Sequence, residues 1–260
     1  MLKPATLLLL ISSFLLVHAQ KTPAKGAGEY IEIRVYHTTD DQQISMIEDY
    51  LQTHLLPAYE KKGFNRVGVF TAISNDTAKD KRVYVIIPFK SLLQVEQIRK
   101  INEELVDSFK VNSVYVKTAF NHPVYSRFET ILLKSFTGMP VVKAPLLQGE
   151  RKERVYELRS YESATEALHL NKVSMFNSGE IALFNRLGFN AVFYGQVLVG
   201  SRMPNLMYMT SFTNKASRDE HWKVFGSDPV WKSMSGDAKY QNNVSRNEIV
   251  FLTPTSFSRL

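Results

Sequence analysis

Tyr156-Glu157-Leu158-Arg159-Ser160-Tyr161 repeats a pattern set 125 residues earlier by Ile31-Glu32-Ile33-Arg34-Val35-Tyr36. Glu-x-Arg-x-Tyr stands in both. A second motif holds the same offset: Gly63-Phe64-Asn65 returns as Gly188-Phe189-Asn190, and 188 − 63 = 125. A third echo, Ser126-Arg127-Phe128-Glu129, returns as Ser245-Arg246-Asn247-Glu248 at offset 119, which fits a shorter loop in the second copy. A period this long is not that of a solenoid. It is the size of a small domain. The chain therefore reads as two copies of one unit, and two such copies suggest a pseudo-symmetric pair that buries a shared surface.

Each copy reads β-α-β-β-α-β. Residues 30–36 alternate cleanly, Ile31, Ile33 and Val35 against Glu32, Arg34 and Tyr36. Asp40 and Asp41 offer helix N-cap chemistry, and residues 42–62 then carry apolar residues near helical spacing, with Pro57 expected to kink or split the helix. Gly63 suits the left-handed position after it. Strands follow at 67–73 and 83–89, a second helix near 92–106 and a strand near 125–133. The second copy repeats the order, with strands at 155–161, 191–199, 206–212 and 246–252 and helices at 168–187 and 216–225. This order predicts an α+β fold of two tandem ferredoxin-like units, 29–137 and 154–260, joined by a linker at 138–153. Two such sheets can pack sheet-to-sheet and enclose a cavity, the copies forming an intramolecular pseudo-dimer; assembly into a homo-oligomer stays open.

On this reading the apolar stripe of each first strand belongs under the helices, and the Glu-x-Arg-x-Tyr stripe faces the inter-sheet cavity. A ferredoxin-like sheet places the fourth strand beside the first, and its Arg-x-Glu runs in the opposite charge order. The candidate cavity lining is then Glu32, Arg34, Tyr36, Arg127 and Glu129 from the first copy, with Glu157, Arg159, Tyr161, Arg246 and Glu248 from the second. Charges in such an interior are costly unless paired, so the set reads either as cross-strand ion pairs or as a polar ligand lining. Trp222 and Trp231, the only tryptophans, are either a clamp seating a short helix or an aromatic wall of a pocket.

Several functions are excluded or unsupported. There is no cysteine, which removes disulfides, thiolate metal sites and a cysteine nucleophile. His37, His54, His122, His169 and His221 are scattered without metal-ligand spacing, so no metal and no cofactor is expected. No phosphate-cradling glycine loop and no nucleophile-elbow motif occurs. The net charge is +7, but its lysines and arginines are dispersed, so no nucleic-acid partner is expected. Lys3, the apolar run Ala5 to Val17 and Val17-His18-Ala19 read as a secretory signal peptide over residues 1–19. A flexible linker follows at 20–28. The mature chain is then secreted or periplasmic, with no membrane span after cleavage.

YELRSY (156–161), LGFNAV (187–192), GFNRVGVF (63–70), YVIIPF (84–89), the W-x-x-F and DPVWK run (222–232) and FLTPTSFSRL (251–260) together resemble the NIPSNAP family. The resemblance spans both copies and is stronger in the second. It implies a tandem dimeric α/β-barrel and no known reaction. Two functions of different class follow. One is binding of a small, aromatic or acidic ligand in the inter-sheet cavity. The other is a cofactor-independent oxygenase or isomerase acting on a small ring substrate, which needs a general base near a dry pocket. A histidine or glutamate free of arginine partners against an apolar wall would favour the second.

Overall fold

The computed structural model describes residues 28–107 and 112–260. The expected signal peptide, and the linker apart from Gly28, lie outside the described residues. Eight strands form one closed antiparallel barrel in the order β1-β3-β2-β8-β5-β7-β6-β4. They are β1 (Tyr30–Thr38), β2 (Gly68–Ala72), β3 (Lys81–Phe89), β4 (Arg127–Ser135), β5 (Val155–Glu162), β6 (Asn190–Val199), β7 (Asn205–Phe212) and β8 (Arg246–Pro254). Each unit keeps the ferredoxin-like order 4-1-3-2. The sheets do more than face each other: they are hydrogen-bonded edge to edge. β2 pairs with β8 and β4 with β6, so the two seams are equivalent under exchange of the units. Closure leaves no free sheet edge, which removes the usual hazard of unpaired strands. The C-terminal tail extends one seam, where Arg259 N–H donates to the Val67 carbonyl and Val69 N–H to Ser258 Oγ, both at 2.9 Å.

The helices pack on the outside. The first unit carries α1 (Asp41–Tyr50), α2 (Leu56–Lys61), α3 (Leu92–Asp107) and the short α4 (Val114–Lys117). The second carries α5 (Glu166–Met175), α6 (Ile181–Arg186), α7 (Lys215–Ser227) and α8 (Pro229–Gly236). Asp40 caps α1 by accepting the Gln43 N–H at 2.8 Å, and Thr165 caps α5 in the same way. Gly63 and Gly188 take φ +86° and +76° just past the ends of α2 and α6, conformations that L-residues adopt only at a cost.

Pro57 neither splits nor ends its helix. It sits in the first turn of α2, where its missing N–H matters least. The irregularity precedes it: α1 and α2 join through a π-helical turn at Leu51–Leu55. α5 and α6 join through a π-helical turn at Phe176–Glu180, 125 residues on and with no proline near. The turn therefore belongs to the repeated unit rather than to the proline. Such turns widen a helix locally and re-aim its side chains. Among the described residues, no helix is long and apolar enough to cross a membrane.

Three apolar clusters follow from this arrangement. The barrel interior is filled from both units by Ile31, Ile33, Val35, Phe70, Ile86, Tyr156, Leu158, Phe193 and Leu252, among others. A second cluster lies between the first unit's sheet and its helices and includes Tyr36, Leu51, Tyr59 and Val85. A third does the same in the second unit around Phe176, Phe184, Tyr194 and Tyr208. An eight-stranded barrel is just wide enough for side chains to fill. Most of it is therefore a core, and space for a ligand exists only towards its ends.

Candidate functional site

The polar stripe lies on the side opposite to the expected one. Ile31, Ile33 and Val35 point into the barrel. Tyr36 packs under the helices, and by strand alternation Glu32 and Arg34 share its face. Glu157, Arg159 and Tyr161 do the same in the second unit. The narrow interior admits branched apolar side chains closely packed, whereas an arginine needs room and several acceptors, which the layer beneath the helices supplies. β1 is buried on both faces, so alternation alone does not tell the inside from the outside.

The ion pairs also differ from the expected cross-strand set. Arg34 Nε donates to Glu32 two residues back on its own strand. Arg159 Nε donates to Glu157 Oε1 at 2.6 Å. The register places Leu132 opposite Glu32 and Phe251 opposite Glu157, out of reach of Arg127, Glu129, Arg246 and Glu248. Glu157 is fully buried and accepts four hydrogen bonds. Besides Arg159, these come from Arg218 Nε at 2.7 Å, Arg218 Nη2 at 2.8 Å and Trp222 Nε1 at 2.7 Å. Burial alone would raise its carboxyl, but Arg218 and Arg159 outweigh it and hold the group below the ordinary glutamate value. The Arg159 guanidinium also stacks 3.7 Å above Trp222. Trp222 meets Phe184, Phe189 and Phe225 edge to face, and Trp231 packs on Phe225. The tryptophans are the clamp that seats α7 and α8 on the sheet; neither lines the pocket described next.

Two of the predicted residues, Glu129 and Glu248, do meet at a pocket. They occupy equivalent places near the starts of β4 and β8, opposite Val35 and Ser160, and therefore face inward at one end of the barrel. Arg127 and Arg246 lie further out and are exposed. The pocket has a volume of about 50 Å³. Val35, Ile131, Leu158, Val197, Met207 and Val250 make its apolar floor, and His37, Arg82, Tyr84, Ser160, Arg202 and Asn205 join the two glutamates around it. It is a small pocket with an apolar floor and a polar, charged rim.

The rim is closely paired. Glu248 accepts from Arg82 Nη1 at 3.2 Å and from Arg202. Burial would raise its carboxyl; the two arginines outweigh that and hold it low. Asp80, just before β3, accepts from Arg82 Nε at 2.8 Å and meets His37 Nδ1 at 2.8 Å. Its carboxyl is likewise held low, burial being outweighed by His37 and Arg82. Asn205 Nδ2 donates to Ser160 Oγ at 2.8 Å. One atom stands apart: His37 Nε2 is buried and makes no hydrogen bond, with Glu129 Oε1 3.5 Å away.

Sequence reasoning missed His37, Asp80, Arg82, Tyr84, Ser160, Arg202 and Asn205 as a group. The signal was present in β1, where the inward stripe Ile31, Ile33, Val35 continues by the same period to His37. Asp80 and Arg202 come from loops, where no periodicity marks them.

Residues 156–259 match the NIPSNAP family model. No curated protein matches the chain. A solved structure of a candidate monooxygenase from Lactobacillus acidophilus is 11% identical, covers 87% of this chain and 94% of its own, and superposes with a TM-score of 0.57. An anthrone oxidase-like protein is 12% identical, covers 90% of this chain and 95% of its own, with a TM-score of 0.52. An uncharacterised NIPSNAP-like domain protein from Burkholderia xenovorans is 17% identical and covers 41% of this chain and 90% of its own, with a TM-score of 0.38. At such identities the first two establish the tandem barrel fold and nothing about chemistry.

Proposed function

We propose, from the match of residues 156–259 to the NIPSNAP family model and from the pocket's geometry, that this tandem barrel binds a small, largely apolar molecule in the pocket at the barrel's end. The supporting observation is the convergence of both units there: an apolar floor, and a rim in which Glu129 and Glu248 occupy equivalent positions. Arg82 and Arg202 are matched by Glu248 and Asp80, so the rim does not present a strong cationic field. A neutral or weakly acidic ring compound suits it better than a strong anion. The names of two fold neighbours, a candidate monooxygenase and an anthrone oxidase-like protein, are compatible with an organic ligand of that kind. Export is part of the proposal and rests on the N-terminal sequence alone; N-terminal sequencing of the mature chain should begin at Gln20.

A thermal-shift screen against small aromatic and alicyclic metabolites tests the binding. A ligand at 100 times its dissociation constant should add about 2.7 kcal/mol of stability. Val250→Trp, which fills the pocket from its floor, should abolish that shift while the protein stays folded. A hit whose shift survives Val250→Trp would place the ligand elsewhere.

A further inference from the structure

We propose that His37 is a general base in this pocket, oriented by Asp80 and acting on a ring compound with a weakly acidic C–H bond. The proposal rests on the reading of the pocket as a ligand site and adds a reaction to it. The Asp80 carboxylate can only accept a hydrogen bond, so its 2.8 Å contact places the imidazole proton on Nδ1. In the neutral imidazole Nε2 then carries the lone pair. His37 lines the pocket at the barrel's end; its Nε2 is covered in this structure and no donor occupies it. A buried polar atom left unsatisfied in this way calls for a partner, and a substrate proton is one that the apolar floor of Val35, Ile131 and Val197 would keep from water.

The groups around His37 fit that role. Arg82 lies opposite it on β3 and Arg127 opposite it on β4, while Tyr84, Arg202 and Glu248 line the same pocket. Asp80 holds Nδ1. Glu129 is the group nearest Nε2, and its second partner, Arg127 at 3.6 Å, gives it somewhere to turn when a ligand enters. In the reaction the C–H bond breaks and its electron pair moves into the ring or an adjoining carbonyl. The proton goes to Nε2, and Asp80 stabilises the resulting imidazolium. Arg202, half exposed, has N–H donors beyond the one Glu248 takes and can meet the developing oxyanion. Return of the proton to a different ring atom completes an isomerisation, with no oxidant, reductant or metal consumed.

The test uses 5-nitrobenzisoxazole. Its C–H bond is broken by a base while its N–O bond opens to a coloured cyanonitrophenolate, so no co-reactant is needed. Its unreactive analogue 5-nitrobenzimidazole reports binding by calorimetry. The intact protein should bind the analogue and turn over the probe, with a rate that rises with pH. His37→Gln should keep binding and lose about 100-fold or more of the rate, together with the pH dependence. Asp80→Asn, which touches no substrate, should leave binding unchanged, lower the rate and displace the pH profile; it also serves if His37→Gln does not fold. Absence of analogue binding to the intact protein would overturn the pocket reading, and the base with it. Binding without turnover, or turnover that survives His37→Gln, would overturn the base and leave the pocket standing.

Discussion

Lys172→Ala should destabilise the protein by about 3–5 kcal/mol, because it leaves the Glu180 carboxylate buried without its partner. Lys172 Nζ donates to Glu180 Oε2 at 2.9 Å, and the two residues are 7% and 2% exposed. Burial pushes the Glu180 carboxyl above its ordinary value, against the pull of Lys172. The repeat supplies a control within the molecule. At the 125-residue offset the same two places hold Ile47 and Leu55, 0% and 1% exposed in the first unit's core. The fold thus builds this position equally well from an apolar pair. Lys172→Ile with Glu180→Leu should therefore cost under about 1 kcal/mol, or stabilise, as replacement of buried ion pairs by packed apolar residues often does. Urea unfolding of the single and double variants measures both. A double variant as unstable as Lys172→Ala would mean that the pair is needed for the second unit's packing.

Glu157→Ala should be comparably damaging, about 3–5 kcal/mol by urea unfolding at neutral pH. It removes one carboxylate that satisfies Arg159, Arg218 and Trp222 together. Arg159→Ala should cost less, about 1–3 kcal/mol, since Glu157 keeps three of its four hydrogen bonds. The pH dependence carries a sign. The Glu157 carboxyl is held below its ordinary value in the folded protein, so its contribution is present above the unfolded value of about 4.3 and is lost as pH falls through the lower folded value. The gap between the original protein and Glu157→Ala should therefore narrow only in acid. A gap that held constant from pH 7 to pH 2 would show that the loss comes from packing and not from the charge.

The duplication and the order of elements were legible because they rest on long-range identity and on clean alternation. YELRSY (156–161) and LGFNAV (187–192) hold one offset whatever the fold. The face of the stripe was not legible. β1 and β5 are buried on both sides, and the choice between barrel and helix layer depends on partners far along the chain, such as Arg218 and Trp222, 61 and 65 residues from Glu157. The barrel was implied by the family resemblance and not by the residue pattern: edge pairing of β2 with β8 joins Ala72 to Leu252, far apart in the chain, and backbone pairing leaves no mark in side-chain pattern. Glu129 and Glu248 were found by the repeat and then given the wrong partners. His37 was visible as the end of the inward stripe, but its importance depends on Asp80, which comes from a turn.

The central claim is the location of the ligand site. Methyl-selective NMR during titration with 5-nitrobenzimidazole tests it most directly, because the pocket floor and the layer under α5 and α7 are both rich in methyl groups. The account predicts shifts at Val35, Leu158, Val197, Met207 and Val250, with Val173, Met175, Ile181 and Leu183 unmoved. Shifts confined to the second set would place the site among Arg159, Lys172 and Trp222, beneath the second unit's helices, and would contradict it.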